Sequence, residues 1–183
     1  GDFPDGSNRP GREQWGSTLD YIASDDSINE VILSGGDPLA TSNSYLQWLL
    51  EALAEIPHLQ RLRPHTRLPI MIPDRIDTPL LQMLGKWKGQ VVVVLHSNHA
   101  QELDSSVDAA CQRLREQNIH LLNQSVLLQG INDSVEALSE LGERLFAAGV
   151  LPYYLHRLDK VSGAAHFAVS QQRALDRKST RLN

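Results

Sequence analysis

Val91-Val92-Val93-Val94-Leu95 is apolar at every position and lacks the alternation of a strand with one solvated face. Such a run is typical of a strand covered on both faces in a parallel sheet. Strand-like apolar runs recur at steps of roughly 30 residues, the size of a βα unit. They lie near residues 30–34, 59–63, 91–95, 119–122 and 151–155. The chain therefore repeats one supersecondary plan.

Helical patterns lie between these runs, each with one apolar stripe. The stripes are formed by Trp15, Leu19 and Ile22; Leu46, Leu49, Leu50 and Leu53; Leu80, Leu81 and Leu84; Val107, Cys111 and Leu114; and Val135, Leu138, Leu141 and Leu145. Thr78-Pro79 starts one helix, Asp133 with Glu136 resembles a capping box, and Gly149 follows another helix as a stop. Repeated right-handed βα units form either an open doubly wound sheet or a barrel.

Polar side chains cluster where the predicted strands end, at residues 34–37, 65–67, 96–99, 123–125 and 156–159. In a βα barrel these ends form one rim, where ligand and catalytic groups converge. The five predicted βα units are fewer than the eight of a complete barrel. We therefore expect an α/β fold with a partial (β/α) barrel over residues 13–175, a loop at 1–12, and a tail at 176–183 that is disordered or foreign to the fold.

Composition favours small-molecule chemistry. The 183 residues, 41% of them hydrophobic, fit one domain or most of a larger one. A net charge of -5 gives no sign of the excess positive charge that binding to nucleic acid or an anionic membrane requires. The lone Cys111 excludes an intrachain disulfide, and no stretch has the apolar length of a membrane span or signal segment. These features predict a reducing, cytoplasmic location.

The stretch Val31-Ile32-Leu33-Ser34-Gly35-Gly36-Asp37-Pro38 ends an apolar strand in two glycines, an acid and a proline. Glycines let the main chain approach a bound molecule and adopt φ > 0, and a carboxylate can accept hydrogen bonds from a cation. Pro38 fixes the exit of the turn. The stretch predicts a backbone ligand site, which by itself would suit phosphate or nucleotide equally well.

Six ordered motifs carry a family resemblance. They are Ser34-Gly35-Gly36-Asp37-Pro38-Leu39, His65-Thr66-Arg67-Leu68-Pro69, Pro73-Asp74-Arg75-Ile76, His96-Ser97-Asn98-His99, Asn123-Gln124-Ser125-Val126-Leu127-Leu128 and Pro152-Tyr153-Tyr154-Leu155-His156. Their order and spacing resemble the radical S-adenosylmethionine (SAM) family of lysine 2,3-aminomutases. Asp159-Lys160-Val161 and residues 163–167 are most similar to the branch that makes (R)-β-lysine for modifying elongation factor P.

The resemblance runs from Phe3 to Leu175 and implies a partial barrel of radical SAM type. It implies an isomerase that converts L-α-lysine to β-lysine by a SAM-derived radical, with pyridoxal phosphate (PLP), a [4Fe-4S] cluster and an electron donor. The family's Cys-x3-Cys-x2-Cys cluster motif has no match, because the chain has only Cys111. The PLP lysine also has no match, and Lys178 is no candidate. We therefore expect an internal piece of an aminomutase, truncated at both ends and inactive alone.

The resemblance also assigns ligand contacts, and no catalytic side chain. It implies that the Gly35-Gly36-Asp37 segment receives the methionyl amino group of SAM. His96 and Gln124 would contact the ribose or adenine, and His156 would lie near PLP. For each of these three, a structural hydrogen bond or simple packing is the alternative.

Three charged residues are further candidates. Asp159 matches the acid that pairs with the distant ammonium of lysine; it could instead be a surface acid beside Lys160 or Arg157. Arg67 and Arg75 could bind a phosphate or carboxylate, or form structural ion pairs.

Two other functions stay open. One is a metal-dependent βα-barrel hydrolase using His65, His96 and His99, although the His96-x-x-His99 pair lacks an evident third ligand, so we predict no metal site in this chain. The other is a catalytically dead SAM-binding module.

Cys111 is predicted to be a buried small hydrophobe. We expect anchors between helices and sheet at Trp15, Trp48 and Trp87.

Overall fold

A computed structural model describes residues 12–158 and 165–181. Within these residues one parallel sheet forms the centre of the molecule. Its strands are β1 (Glu30–Leu33), β2 (Arg61–Thr66), β3 (Gln90–His96), β4 (His120–Leu127) and β5 (Leu151–Arg157). They lie side by side in chain order, from β1 to β5.

The strand order distinguishes the two predicted architectures. A doubly wound sheet reverses its order at a switch point, whereas a barrel adds each strand beside the last. The observed order is consecutive, so the sheet winds in one direction. In the described part of the chain β1 and β5 do not pair, so the sheet is open. The prediction of a partial barrel with about five βα units is confirmed.

Helices cover the outer face of this sheet. They are α1 (Arg12–Ser24), α2 (Asn43–Ala54), α3 (Leu68–Met71), α4 (Thr78–Gly85), α5 (Ser105–Glu116), α6 (Val135–Ala147) and α7 (Gln171–Arg181). The predicted apolar stripes lie on α1, α2, α4, α5 and α6, and most of their members are buried.

The main hydrophobic core lies between the helices and the outer face of the strands. Strand residues such as Leu62, Val93 and Leu121 join helix residues such as Leu53 and Leu114 in this core. Each is 0–3% exposed. Burying an aliphatic side chain of this size contributes roughly 1.5–3 kcal/mol before the entropy cost of folding. The core therefore fixes which strand face is left for ligands.

Two further core predictions are confirmed. Trp15, Trp48 and Trp87 pack against the core while partly exposed, as anchors between helices and sheet. Cys111 is fully buried, and burial raises the pKa of its thiol to about 11, with a further rise from Asp108. Of the helices in the described ranges, none combines the length and apolar character needed to cross a bilayer.

Three strand boundaries differ from the prediction. β2 runs over Arg61–Thr66 rather than 59–63, β4 continues through Leu127 instead of ending at 122, and β5 continues through Arg157 instead of ending at 155. His65, Asn123 to Ser125 and His156 are therefore inside strands rather than after them. The pattern failed because polar side chains occupy both faces of the second half of β4, so its apolar signal stops early.

Helix termini were predicted with mixed success. Thr78 does begin α4, with Pro79 in its first turn and Asp77 as the N-cap. The predicted Asp133 capping box is wrong, because the Ser134 side chain caps α6 by accepting from the Ala137 amide. Gly149 follows α6 with φ +74°, as a C-terminal stop requires.

The structure describes a helix near each end of the chain. Helix α1 begins at Arg12, and residues 1–11 of the predicted loop lie outside the described residues. Helix α7 extends through residue 181, into the segment predicted as a tail from 176. Arg177 Nε donates to the Asp133 carbonyl at 3.1 Å, and Arg173 lies 3.0 Å from the Asp133 carboxylate. Ala174 packs against a small apolar cluster, so apolar and guanidinium contacts both hold α7.

Candidate ligand site on the concave face

The turn after β1 leaves its backbone accessible. Gly35 and Gly36 are exposed, and a Cβ built at either position would meet nothing within 4 Å. Gly35 has φ +109°, which side-chain-bearing residues rarely adopt. A cavity of about 260 Å³ lies against Gly36, between β1, α1 and α2. The geometry fits the predicted close approach of a ligand to main-chain atoms.

The Asp37 carboxylate organises this turn. It accepts from the Leu39 amide at 3.0 Å, from the Thr66 hydroxyl at 2.7 Å and from the Arg67 amide at 2.7 Å. These bonds tie the turn after β1 to the end of β2. A carboxylate offers about four lone-pair positions, so a bound cation would share Asp37 with three protein donors.

The inner face of the sheet is concave and largely polar. Alternate residues of each strand point away from the helices, as the burial pattern of β2 shows. The polar residues of this face on the described strands are Glu30, Arg61, Arg63, His65, Gln90, His96, His120, Gln124, Tyr154 and His156. Glu30 is the only acid among them.

A cluster around Glu30 forms the deep end of this face. Arg63 Nε lies 2.9 Å from one Glu30 carboxylate oxygen, and its terminal nitrogen donates to the other at 3.0 Å. Arg61 lies 3.6 Å from the same carboxylate. Tyr153 of β5 has its pKa lowered by hydrogen bonds with Tyr154 and, second, with Arg63. Because Arg63 is on β2, the contact shows that β2 and β5 approach each other across the concavity.

A second cluster lies near the carboxyl ends of the strands. Burial lowers the pKa of His96 to about 4, with further lowering by Arg67 and His156. Burial also lowers the pKa of His65, and an interaction with Gln124 of β4 partly offsets this effect. The structure thus brings together four predicted site residues, His96, Gln124, His156 and Arg67, and adds His65.

Two nitrogen atoms of this cluster lack partners. The Nε2 atoms of His65 and His96 are both shielded from solvent, and neither has a hydrogen-bond partner in the described residues. An unsatisfied buried polar atom costs about 1–3 kcal/mol. Such atoms persist where a ligand or water completes the site, so the cluster fits a polar ligand.

Arg75 lies elsewhere. Its Nε donates to the Leu39 carbonyl at 2.8 Å, and a terminal nitrogen lies 3.7 Å from the Asp77 carboxylate. These contacts tie the loop after β1 to the start of α4. Arg75 therefore takes the structural role that was the alternative to anion binding. Asp159 lies outside the described residues, and its assignment stays a prediction.

The alternative hydrolase site of His65, His96 and His99 is not assembled in the described residues. His99 accepts from the Gln101 amide through Nδ1 and caps the short helix at Ala100–Glu102. Glu102 completes the capping box by accepting from the Asn98 and His99 amides, both at 2.9 Å. The described parts of the chain contain no cluster of three His, Cys, Asp or Glu side chains suited to a metal ion.

The sequence interpretation missed a buried amide network. The Asn123 side chain accepts from the Ser97 amide at 2.9 Å and donates to the Ser97 carbonyl at 3.0 Å. Asn132 donates to the Asn98 carbonyl at 2.8 Å and accepts from the Leu128 amide at 2.7 Å. The network holds the loop after β3 against β4, so Asn123 supports the rim rather than lining it. The signal available in the sequence was the run of amide and hydroxyl side chains within β4.

Two solved structures share the fold of the chain. Streptococcus suis SuiB bound to S-adenosylmethionine matches with TM-score 0.64 and 16% identity, over 94% of this chain and 42% of that chain. A radical SAM methyltransferase from Sphaerobacter thermophilus matches with TM-score 0.56 and 18% identity, over 84% of this chain and 48% of that chain. These matches show a common partial-barrel fold.

The similar curated sequences described below are amino acid 2,3-aminomutases. The chain is 49% identical over 173 residues to L-lysine 2,3-aminomutase of Haemophilus influenzae, covering 94% of the chain and 51% of the relative. It is 47% identical over 172 residues to L-lysine 2,3-aminomutase of Escherichia coli K12, covering 94% and 50%. Glutamate 2,3-aminomutase of Clostridioides difficile is 35% identical, covering 87% and 37%. No model of a protein family matches.

Over the part that it spans, the chain is similar in sequence to lysine 2,3-aminomutases. It spans about half the length of the first two curated relatives.

Proposed function

We propose that the chain is the central barrel segment of an enzyme that isomerises L-α-lysine to β-lysine. The supporting observation is the 49% identity to a lysine aminomutase, which extends over 94% of the chain. The chain would supply the concave surface on which the reacting groups are bound and kept from water.

SAM is the cofactor that we assign to the rim. Bound at an iron–sulfur cluster, SAM would supply the radical that starts the isomerisation. The exposed backbone of Gly35 and Gly36 would accept its ammonium, with Asp37 holding the turn. His96 and Gln124 would bind its polar sugar or base atoms, consistent with the unpaired His96 Nε2. Three thiolates for the cluster would come from outside these residues, because Cys111 is buried.

PLP is the second proposed cofactor. Its phosphate is a dianion near neutral pH, so it favours cationic surroundings. Arg67 lies near enough to His96 to lower the pKa of that imidazole, and His156 of β5 lowers it further. We assign Arg67 and His156 to the PLP side of the rim, and no phosphate role to Arg75.

Asp159 is the residue that we expect to select lysine. Lysine carries a distant ammonium, and Glu30, the one acid among the described inner strand residues, is paired with Arg63. An acid beyond β5 would attract that ammonium and repel the carboxylate of glutamate. In the longer protein, Asp159→Asn should raise KM for lysine at least tenfold, with Asp20→Asn as control. Unchanged lysine kinetics would refute the role.

The biological setting is also a proposal. Residues 159–167 resemble the branch that serves elongation factor P, so we propose that the product is (R)-β-lysine for that protein. The cluster would need an electron donor. An oxygen-sensitive cluster and a single cysteine suit the reducing cytoplasm.

The deciding experiment uses the longer protein that contains this chain. After anaerobic reconstitution we expect absorbance near 400 nm, reductive cleavage of SAM, and conversion of lysine to β-lysine. Absence of a cluster in the longer protein would refute the proposal. A cluster with SAM binding but no cleavage would favour the catalytically dead module instead.

A further inference from the structure

Two adjoining cavities lie on the outer surface between α2 and α4, and both are lined by Ala54 and Trp87. The larger has a volume of about 290 Å³ and is bounded by the end of α2, the loop before β2 and the loop before β3. The smaller has a volume of about 150 Å³ and lies further along the two helices. Loops that precede parallel strands lie at the opposite edge of the sheet from the rim. The larger cavity is therefore separate from the rim.

The larger cavity is apolar on its inner side. Ile56 and Leu59 line it and belong to the main core, with 7% and 8% exposure. The partly exposed Trp87 packs against the same core. The volume of about 290 Å³ equals roughly ten water-sized volumes, the bulk of one amino acid of leucine size. These surfaces favour a ligand with an apolar side chain, because binding removes apolar area from water.

Each cavity is also lined by one acid and one lysine. Glu55 and Lys88 line the larger cavity, and Glu51 and Lys86 line the smaller. All four residues are exposed, and none forms a salt bridge within the described residues. An acid and a lysine that line one cavity without pairing leave room for a ligand that carries both charges. A zwitterion meets this requirement, with its ammonium at the acid and its carboxylate at the lysine.

Trp87 adds an unused hydrogen-bond donor. Its Nε1 is shielded from solvent and has no hydrogen-bond partner in the described residues. An unpaired buried donor is unfavourable, and a ligand acceptor would satisfy it. Because no hydrogen bond holds the indole, a small turn of the ring toward the cavity would let Nε1 donate to a carboxylate beside Lys88. Trp15 differs, since its Nε1 donates to the Tyr45 hydroxyl at 2.8 Å.

We propose that the larger cavity binds a free α-amino acid with an apolar side chain, such as leucine. Glu55 holds the ammonium, Lys88 and Trp87 hold the carboxylate, and the side chain lies over Ile56 and Leu59. Because the charged groups are exposed, each ionic contact contributes little, and the expected Kd is about 1 mM. Lysine is a poor ligand here, because its second ammonium would lie on apolar surface. The site does not rest on the proposed function.

The direct test titrates the chain with leucine and follows the Trp87 indole N–H and the Ile56 and Leu59 backbone amides by NMR. We expect saturable shifts at these positions and none at the Trp15 indole. Absence of shifts at Ile56 and Leu59 would refute the site.

A series of ligands tests each part of the recognition. Isocaproate is leucine without the ammonium, and isoamylamine is leucine without the carboxylate. Each should bind about fivefold or more weakly than leucine, and so should lysine. If either analogue binds as tightly as leucine, the zwitterion requirement is wrong. Lysine binding as tight as that of leucine would overturn the apolar selection, and it would leave the proposed function of the rim untouched.

Matched variants of the two cavities locate the ligand. Glu55→Gln and Lys88→Gln should each weaken leucine binding by about fivefold. Glu51→Gln and Lys86→Gln remove the same charges from the smaller cavity and should change it by less than about twofold. Trp87→Phe keeps an aromatic ring without the donor and should weaken binding by about threefold. The four charged side chains are exposed, so their variants should fold. Equal effects in the two cavities would contradict the location.

Discussion

At the scale of single residues, Asp37 joins two strand ends through one carboxylate. The family resemblance implied a direct role toward SAM, but the structure shows three protein donors on this side chain. The glycines before it remain accessible because Asp37 fixes the turn that presents them. A ligand contact and a structural contact can thus lie in adjacent residues of one motif.

Replacing Asp37 tests this structural role. Asp37→Asn places an amide where the Thr66 hydroxyl and two backbone amides now donate, so at least one donor loses its acceptor. We expect the free energy of unfolding to fall by about 2 kcal/mol, measured by urea denaturation. Asp20→Asn on the exposed surface of α1 should change it by no more than about 0.5 kcal/mol. Equal effects would contradict the role.

His96 should make stability depend on pH. Its pKa in the fold is about 4, below the ordinary 6.5, so between these values the unfolded chain binds a proton that the folded chain excludes. The free energy of unfolding is therefore unaffected by His96 above pH 6.5 and decreases as the pH falls toward 4. The urea midpoint should therefore decrease from pH 7 to 5, less steeply in His96→Gln. Identical slopes would show that His96 is not the cause.

At the scale of elements, short polar interactions decide where helices and loops sit. β4 carries Asn123 on the helix side and Gln124 on the concave side, so this strand both supports and lines the rim. Ser134 and Gly149 bound α6 at its two ends. Helix positions near the site are therefore set by caps as well as by apolar packing.

Two glycines of the α6 region give a matched pair. Gly149→Ala should lower stability by about 1–2 kcal/mol, because φ is +74° and a Cβ would lie 2.4 Å from an Arg115 nitrogen. Gly142→Ala, inside α6 with nothing within 4 Å of the new Cβ, should raise stability by about 0.5–1 kcal/mol. Thermal unfolding measures both. Destabilisation by Gly142→Ala would contradict the helix assignment.

At the scale of the whole molecule, charge is segregated. An acidic chain presents a cationic concave face, and the sheet curves enough for Tyr153 of β5 to contact Arg63 of β2. Chain averages conceal this arrangement, because the acids lie mostly on exposed helices and loops. The fold therefore creates a ligand environment that composition alone does not indicate.

The 183 residues alone should form no [4Fe-4S] cluster and no β-lysine. A cluster that binds SAM takes three thiolates, and Cys111 is buried with its pKa raised to about 11. Anaerobic reconstitution of the chain should give no absorbance near 400 nm, with the longer protein as positive control. Detectable β-lysine from the chain alone would overturn this prediction.

The sequence by itself determined the parallel βα plan, the helix stripes and most members of the rim, because these depend on periodicity and on residue type at strand ends. It placed β2 and the end of β4 wrongly, and it did not indicate that Arg75 would bond the Leu39 carbonyl while Arg67 would lie near His96. Only the tertiary structure decided those points. Whether a guanidinium meets a loop carbonyl, and whether an imidazole lies beside a cation, depends on which strands lie side by side and how the sheet curves.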